Sequence, residues 1–285
     1  MYYKTLLSNG AVIIAAAMLT LTACKKSKTD NTTTTTPALT NTDDNGGYAS
    51  DAAKLEANNN DVISIADLAQ ASGSANLRTT GAYPVVTNDT GSHKITIDFG
   101  PTNHLCIDGK NRRGKINVSY SGKYKDSGSV HTITFDSYFV EDIQRTGSKT
   151  VTNKGTNSSG QVWYTVTVND SMIFASDSII SWAGNRTRTW TAGYSTAVRS
   201  DDAYEIGGVT VLTRANGHTF THTISSSAPL KVEWSCNYIE SGIVTVSSST
   251  FTGGDRTIDY GYGTGGCDNQ AQLTVGKHTY VITLR

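Results

Sequence analysis

The sequence predicts an all-β fold, an antiparallel meander or sandwich of about 12 to 16 strands with a short helical segment on its N-terminal side. Beyond Pro84, polar and apolar residues alternate in short runs, which is the period of a strand with one buried face. Glycine-containing pairs lie between several of these runs, where hairpin turns need them. Beyond Pro84, no apolar pattern with helical spacing continues for the length of a helix.

Residues 1–23 have the pattern of a lipoprotein signal peptide. Lys4 precedes the apolar run "AVIIAAAMLTLTA", and the letters "LTAC" end at Cys24. The run is shorter than the roughly 20 apolar residues of a membrane span, and a small residue before the cleavage point is typical of an export signal. We expect cleavage before Cys24 and acylation of this cysteine, palmitate included. The alternative is an ordinary secretory signal with a coincidental cysteine.

Residues 24–50 are predicted to form a disordered tether. They contain "TDNTTTTTPALTNTDDNGG", which offers almost no apolar side chain for a core. A protein that carries two or more acyl chains stays stably on a membrane. We therefore expect the membrane to be a partner through the N-terminal lipid, with the tether holding the folded part away from it.

Residues 51–79 are predicted to form a short helical segment and a linker. The stretch "DAAKLEANNNDVISIADLAQ" contains Ala, Leu and Ile at mixed spacing and lacks Gly and Pro, so one or two short helices fit. The all-β domain follows, over residues 80–285.

Strands and turns can be assigned within that domain. In "QVWYTVTVND", Val162, Tyr164, Val166 and Val168 share one face of a strand. The pair 216–217 (Asn-Gly) lies between two alternating runs and predicts a type I′ hairpin turn, in which both central residues have positive φ. The pair 276–277 (Gly-Lys) suits a type II′ turn. Strands joined this tightly are antiparallel.

One short motif occurs twice. "TIDFGPTNHLCID" at 96–108 and "TIDYGYGTGGCDN" at 257–269 share Ile-Asp-aromatic-Gly and a cysteine. The repetition predicts a shared local structure, in which each copy ends a strand and Gly100 or Gly261 permits the turn. It also leaves open an origin of the domain from two related β halves, roughly 80–190 and 200–285.

Three cysteines remain beyond Cys24, and an odd number in an exported protein allows at most one disulfide among them. We favour Cys236 with Cys267, because Cys236 ends the predicted strand "LKVEWSC" and only a few strands separate the two. The competing pair is Cys106 with Cys267, which the repeated motif would allow.

Charge and motifs argue against several classes of function. The chain has 24 basic and 24 acidic side chains and lacks the basic stripe of a nucleic-acid binder. "GYGTGG" at 261–266 fits a dinucleotide pattern, but a predicted strand follows it instead of a helix. On a strand, His218 and His222 would lie about 13 Å apart, too far for one metal ion. We expect a protein that is not an enzyme and has no metal and no cofactor.

One stretch predicts a binding surface. "SWAGNRTRTWTAGY" contains Trp182, Arg186, Arg188, Trp190 and Tyr194, and Trp, Tyr and Arg dominate the energetics of interfaces. Exposed on a sheet, these residues would form a flat platform for a glycan or another protein. Alternatively, Trp190 is a core residue.

Several segments together resemble a group of uncharacterised β-rich lipoproteins of Bacteroidetes. They are the signal peptide with its cysteine, the Thr-rich tether, "IDFG" before a cysteine, "GKNRRGKINVSYSGKY", "DDAYEIGG" and "IDYGYGTGGCDN". The resemblance implies an envelope lipoprotein and no known activity. Bacteroidetes lipoproteins destined for the cell exterior typically carry acidic residues just after the lipidated cysteine. Here Lys25, Lys26 and Ser27 follow it, which implies the outer membrane on its periplasmic side.

These observations favour a membrane-anchored envelope lipoprotein with a non-enzymatic binding or structural role. Its partner would be an envelope protein or a glycan. The alternative is a glycan-binding lipoprotein of a polysaccharide-uptake system, which would use the Trp182–Trp190 platform.

Overall fold

The computed structural model describes residues 44–73, 77, 82–175, 178–196, 199–263 and 266–284. The predicted signal peptide, Cys24 and the tether up to residue 43 lie outside the described residues. Within them the all-β prediction is confirmed: one long helix and one short 3-10 helix accompany sixteen strands. None of the described helices is long and apolar enough to cross a bilayer.

Helix α1 spans Asp44–Ser72 and is longer than the sequence suggested. It begins within the stretch expected to belong to the tether and continues as one helix of 29 residues, about 43 Å long at the usual rise. From Asn59 to Ala69 every side chain is buried except those of Asp61 and Ser64, which are partly exposed. Protein therefore surrounds this half of the helix, and tertiary packing stabilises a helix that local propensity alone predicts to be short.

The strands of the described residues are β1 (Val85–Asp89), β2 (Lys94–Asp98), β3 (His104–Leu105), β4 (Asn111–Tyr120), β5 (Val130–Val140), β6 (Ile143–Thr156), β7 (Val162–Ile173), β8 (Ile179–Ala192), β9 (Ala203–Arg214), β10 (Thr219–Ile224), β11 (Leu230–Glu233), β12 (Ile239–Ser241), β13 (Ile243–Ser247), β14 (Arg256–Asp259), β15 (Gln270–Val275) and β16 (His278–Thr283). A short 3-10 helix, Arg199–Asp201, precedes β9.

All strands belong to one open antiparallel sheet in the order β1-β2-β4-β5-β6-β7-β8-β9-β10-β13-β14-β15-β16. Most neighbours in the sheet are consecutive in the chain, so this is the predicted meander. Among the described strands, β3 pairs with β4, and β11 pairs with β9 and β12. The two proposed halves meet at β8 and β9, which pair along most of their length, so the sheet does not divide there.

The sheet curves around α1. The helix contacts β2 near one edge of the sheet and β14 and β15 near the other. Strand β7 shows how the sequence specifies the inner face, because Val162, Tyr164, Val166 and Val168 are all buried while the residues between them are not. The hydrophobic core lies between this inner face and the helix.

The two predicted hairpins form, one of them with a different turn. Gly276 has positive φ and Lys277 does not, in agreement with type II′. Between β9 and β10 only Gly217 has positive φ, whereas type I′ would require it at Asn216 too. The amide of Gly217 donates to the carbonyl of Arg214 at 2.8 Å, which is a type I turn followed by a left-handed glycine. The prediction of a type I′ turn was therefore wrong.

The repeated motif adopts the same local structure twice, as predicted. Strands β2 and β14 end at Asp98 and Asp259, and each carboxylate accepts a hydrogen bond from the glycine amide two residues later, at 2.8 and 2.9 Å. The aromatic residue between them, Phe99 or Tyr260, is buried in both copies. Gly100 needs its left-handed backbone, with φ of 81°, but Gly261 does not.

Candidate functional site

The aromatic platform predicted on β8 does not exist as a surface. Trp182, Arg186, Arg188 and Trp190 are only 1% to 3% exposed, and Tyr194 alone reaches 36%. The four buried residues lie on the inner face of the sheet, which packs toward α1, so the alternative of a core Trp190 is correct. Strand periodicity assigns residues to a common face and does not say which face is buried, so the prediction of a binding platform was wrong.

Arg186 instead joins the sheet to the helix. Its Nη2 donates to Glu56 Oε2 at 2.8 Å and to Thr210 Oγ1 at 2.8 Å, and it lies 2.9 Å from His222 Nδ1. Burial, with a further contribution from Arg186, holds the pKa of His222 well below its usual value. His222 is therefore neutral, and its Nδ1 shares the two Nη2 hydrogens of Arg186 with Glu56 and Thr210. Burial raises the pKa of Glu56, and Arg186 and Lys149 oppose that rise.

A second buried polar cluster lies on β6 and β7. Arg145 Nη2 is 2.5 Å from Asp170 Oδ2, and Lys149 Nζ contacts both Asp170 and Asn59 of the helix. Burial lowers the pKa of Lys149 to about 8, against the opposing effect of Asp170. Burial would raise the pKa of Asp170, but Lys149 and Arg145 outweigh it and hold that pKa below its usual value.

Three further contacts continue this series along α1. Arg112 of β4 binds Asp61, Arg188 of β8 donates to Ser64 Oγ at 3.1 Å, and Arg199 binds Asp67. Glu56, Asn59, Asp61, Ser64 and Asp67 of the helix thus each meet a partner on the sheet or beside it. Removal of one partner from such a pair is costly, so the contacts specify a single position for α1.

A cavity of about 360 Å³ lies between the C-terminal half of α1 and two loops. The first loop, 99–112, begins within the first copy of the repeated motif, includes β3 and ends at the start of β4. The second, Val232 to Ile239, connects β11 and β12. Ligand pockets in proteins are typically about 300 to 1,000 Å³, so the cavity can enclose a small molecule.

One end of the cavity is polar. Asp61 and Ser64 of the helix face Asp108, Lys110 and Arg112 of the first loop. The Arg112 guanidinium binds both oxygens of Asp108 at 2.7 and 2.6 Å, and Asp61 Oδ2 at 2.6 Å. Burial raises the pKa of Asp61, but Arg112 and Lys110 more than offset it, and the pKa lies below its usual value. Asp61 is therefore ionised.

The other end is apolar and aromatic. Leu68 lies about two turns beyond Asp61 on the helix, roughly 10 Å along its axis. Val232 pairs with Tyr204 across β11 and β9, and both line the cavity. Trp234 lies next to them, with its amide bonded to the carbonyl of Asp202 at 2.9 Å. The character of the wall therefore changes along α1 from charged to apolar.

The cysteines have two different roles in this cavity. Cys236 forms a disulfide with Cys267, the pair that the sequence favoured, with a Cα–Cα distance of 5.4 Å. It fastens the second loop to the segment between β14 and β15. Cys106 is a free, buried thiol that lines the cavity. Burial raises the pKa of Cys106, although Arg112 partly opposes this effect, so the thiol is protonated and a weak nucleophile.

The described carboxylates of the cavity wall are paired with basic groups. The described part of the wall contains no histidine, and the carboxylates of Asp61 and Asp108 are engaged by Arg112. Among the described residues no group of three or more His, Cys, Asp or Glu side chains could hold a metal ion. His222 is fully buried and His218 is exposed, so the two histidines lie in different environments.

Sequence reasoning did not bring these cavity residues together. Asp61, Asp108 and Trp234 belong to a helix and two loops that are far apart in the chain. One local signal was present, since "EWSCNY" places two aromatic residues around the predicted disulfide residue Cys236. Comparisons with protein-family models, with curated proteins and with solved structures find no match.

Proposed function

We propose that the chain is a lipid-anchored envelope protein that binds a small molecule in the cavity between α1 and the two loops. The cavity itself is the observation that carries this proposal: it is large enough for a ligand, and its wall is polar at one end and apolar at the other. The role is binding without catalysis, because the Cys106 pKa is raised and the nearby carboxylates are engaged by Arg112.

Both walls of the cavity are held in place before a ligand arrives. The helix wall is fixed through contacts such as Glu56–Arg186 and Asp61–Arg112. The second loop is fixed by the Cys236 disulfide. A site that needs little ordering on binding loses less affinity to entropy, which supports a binding role.

The proposed membrane attachment rests on Cys24 and the sequence before it. The proposed periplasmic side of the outer membrane rests on Lys25 and Lys26 directly after it. If the attachment is correct, Cys24→Ser moves the protein from the membrane fraction to the soluble fraction, whereas Cys106→Ser leaves it on the membrane. A Cys24→Ser protein that stays on the membrane would contradict the anchor.

Two substitutions at nearby positions, 105 and 107, test the binding function. Ile107 lines the cavity and is 52% exposed, whereas the nearby Leu105 is 59% exposed and lies outside the described wall. Ile107→Trp should narrow the entrance, and Leu105→Trp adds the same bulk beside it. Each full-length protein is isolated in detergent-free membrane discs, and its small molecules are extracted and identified by mass spectrometry. We expect a compound that accompanies the wild type and Leu105→Trp and is depleted from Ile107→Trp.

The proposal fails if the three proteins carry the same small molecules in the same amounts. The alternative of glycan binding on the β8 platform is not proposed, because Trp182 and Trp190 are buried.

A further inference from the structure

We infer that the ligand of this cavity is an uncharged molecule with several hydroxyl groups and one apolar face, the chemistry of a short glycan. This inference rests on the proposed binding function and adds the class of ligand. Three features of the cavity carry it: the balance of charge at the polar end, the hydrogen-bonding groups left there, and the aromatic residues around the second loop.

The charges at the polar end cancel. Among the described residues of the wall, the carboxylates of Asp61 and Asp108 face the cations of Lys110 and Arg112. Glu233 also lines the cavity and shares Lys231 with Glu240, since Lys231 Nζ lies 2.6 Å from Glu233 Oε1 and 3.3 Å from Glu240 Oε2. Beside Asp61 and Arg112, where two carboxylates meet two cations, a charged ligand would therefore lose its hydration without gaining a counter-ion, which is unfavourable in a partly enclosed site.

The same end presents both hydrogen-bond acceptors and donors. Arg112 Nη2 contacts Asp61 at Oδ2, and Lys110 Nζ lies 4.0 Å from Asp61 Oδ1. Asp61 Oδ1 can thus accept a hydrogen bond, and Lys110 Nζ can donate one. A hydroxyl group both donates and accepts, so neighbouring hydroxyls of one sugar ring can use both partners at once.

Two aromatic residues of the second loop supply a surface for the apolar face of the ligand. Trp234 and Tyr238 line the cavity and are partly exposed, on either side of Cys236. The amide of Tyr238 lies 3.4 Å from Cys236 Sγ, so the disulfide holds this part of the loop. Rigid aromatic side chains offer a large contact area at a low cost in conformational entropy.

Three probes with the same ring and different head groups test the inference: phenyl β-D-glucoside, phenyl phosphate and phenyltrimethylammonium. Binding is measured by saturation-transfer NMR to the full-length protein in phospholipid vesicles. We expect the glucoside to bind at least about tenfold more tightly than either charged probe. Ile107→Trp should abolish its signal and Leu105→Trp should keep it.

Substitution of a charged residue in the cavity wall gives a second test, in which the preference among the three probes is measured. Lys110→Gln, on a partly exposed side chain, should leave a net negative polar end and shift preference toward phenyltrimethylammonium by about tenfold. Asp61→Asn should shift preference toward phenyl phosphate, provided that its circular dichroism spectrum matches the wild type.

The inference is overturned if a charged probe binds the wild type as well as the glucoside does, or if the glucoside does not bind. It is also overturned if the glucoside binds the Ile107→Trp protein unchanged. A charged probe that binds best and is lost in Ile107→Trp would leave the proposed binding function standing and refute only the neutral ligand. The extraction experiment decides the binding function independently.

Discussion

Glu56 of α1 and Arg186 of β8 form an ion pair that is closed to solvent, with Oε2 2.8 Å from Nη2 and at most 2% of either side chain exposed. This pair connects the helix to the middle of the sheet. Burial destabilises both charges, since it raises the pKa of Glu56 and lowers that of Arg186. The pair persists because each charge compensates the other, and Thr210 Oγ1 and His222 Nδ1 also lie within hydrogen-bond distance of Arg186 Nη2.

We predict that Glu56→Gln lowers the free energy of unfolding by about 3 to 5 kcal/mol, because it leaves the Arg186 charge buried without a counter-ion. Arg186→Met alone should also destabilise, but in the double variant the unpaired charge is absent. The losses should therefore not add, and the double variant should be more stable than their sum predicts by about 1 to 3 kcal/mol. Urea unfolding of the four proteins measures this coupling. Strict additivity would contradict the role of the pair.

The placement of this pair shows the limit of sequence reasoning here. Alternation on β7 predicted that Val162 and Tyr164 share a buried face, because strand period is a local property. Glu56 and Asn59 gave no such signal, since polar residues on a helix normally face water. They are buried because the sheet encloses α1 and supplies Arg186 and Lys149 as partners. A long-range arrangement of this kind has no signature in local spacing.

Stability should fall as the pH drops below the usual pKa of histidine. In the native state, burial and Arg186 keep the pKa of His222 well below its ordinary 6.5. Below 6.5 the unfolded chain therefore takes up a proton that the native chain does not, which favours unfolding. Between pH 6.5 and the native pKa of His222, the free energy of unfolding should therefore fall by up to about 1.4 kcal/mol for each pH unit.

Denaturant unfolding at several pH values between 7.5 and 5 measures this slope. His222→Gln, which retains a side-chain acceptor for Arg186, should flatten it. His218→Gln replaces an exposed histidine at the turn before β10 and should not. His131, whose pKa burial also lowers, remains in all three proteins and contributes equally. Equal slopes in the wild type and His222→Gln would show that His222 titrates normally in the native state.

The disulfide should contribute about 3 to 4 kcal/mol, because Cys236 and Cys267 close a loop across a sequence separation of 31 residues. A reducing agent should lower the urea midpoint of the wild type by the corresponding amount. It should have no effect on Cys236→Ala/Cys267→Ala, in which no disulfide remains to be reduced. Cys106→Ser serves as the control and should respond to reduction like the wild type. A midpoint that reduction does not change would contradict a stabilising bond.

Gly114 of β4 leaves the least room for a side chain among the described glycines of the sheet. It lies where the pairing of β4 with β5 shifts register. A Cβ at this position would lie 1.9 Å from the carbonyl oxygen of Ser137, and φ is 81°. Gly160 has nearly the same φ, 78°, and no atom within 4 Å of the equivalent Cβ. Both alanine variants therefore share the left-handed strain of about 1 to 2 kcal/mol, and only Gly114→Ala adds a backbone collision.

We expect Gly160→Ala to lose about 1 to 2 kcal/mol of unfolding free energy and Gly114→Ala to lose more than about 4 kcal/mol or fail to fold. Thermal and urea unfolding of both variants give the comparison. The difference isolates the contact with Ser137, because the strain of positive φ is common to both. Ser137 itself has φ of 47°, so the strand backbone there is already displaced and cannot move away without loss of the β4–β5 pairing. If the two variants lost equal stability, close approach of the strands would not be the reason for glycine at position 114.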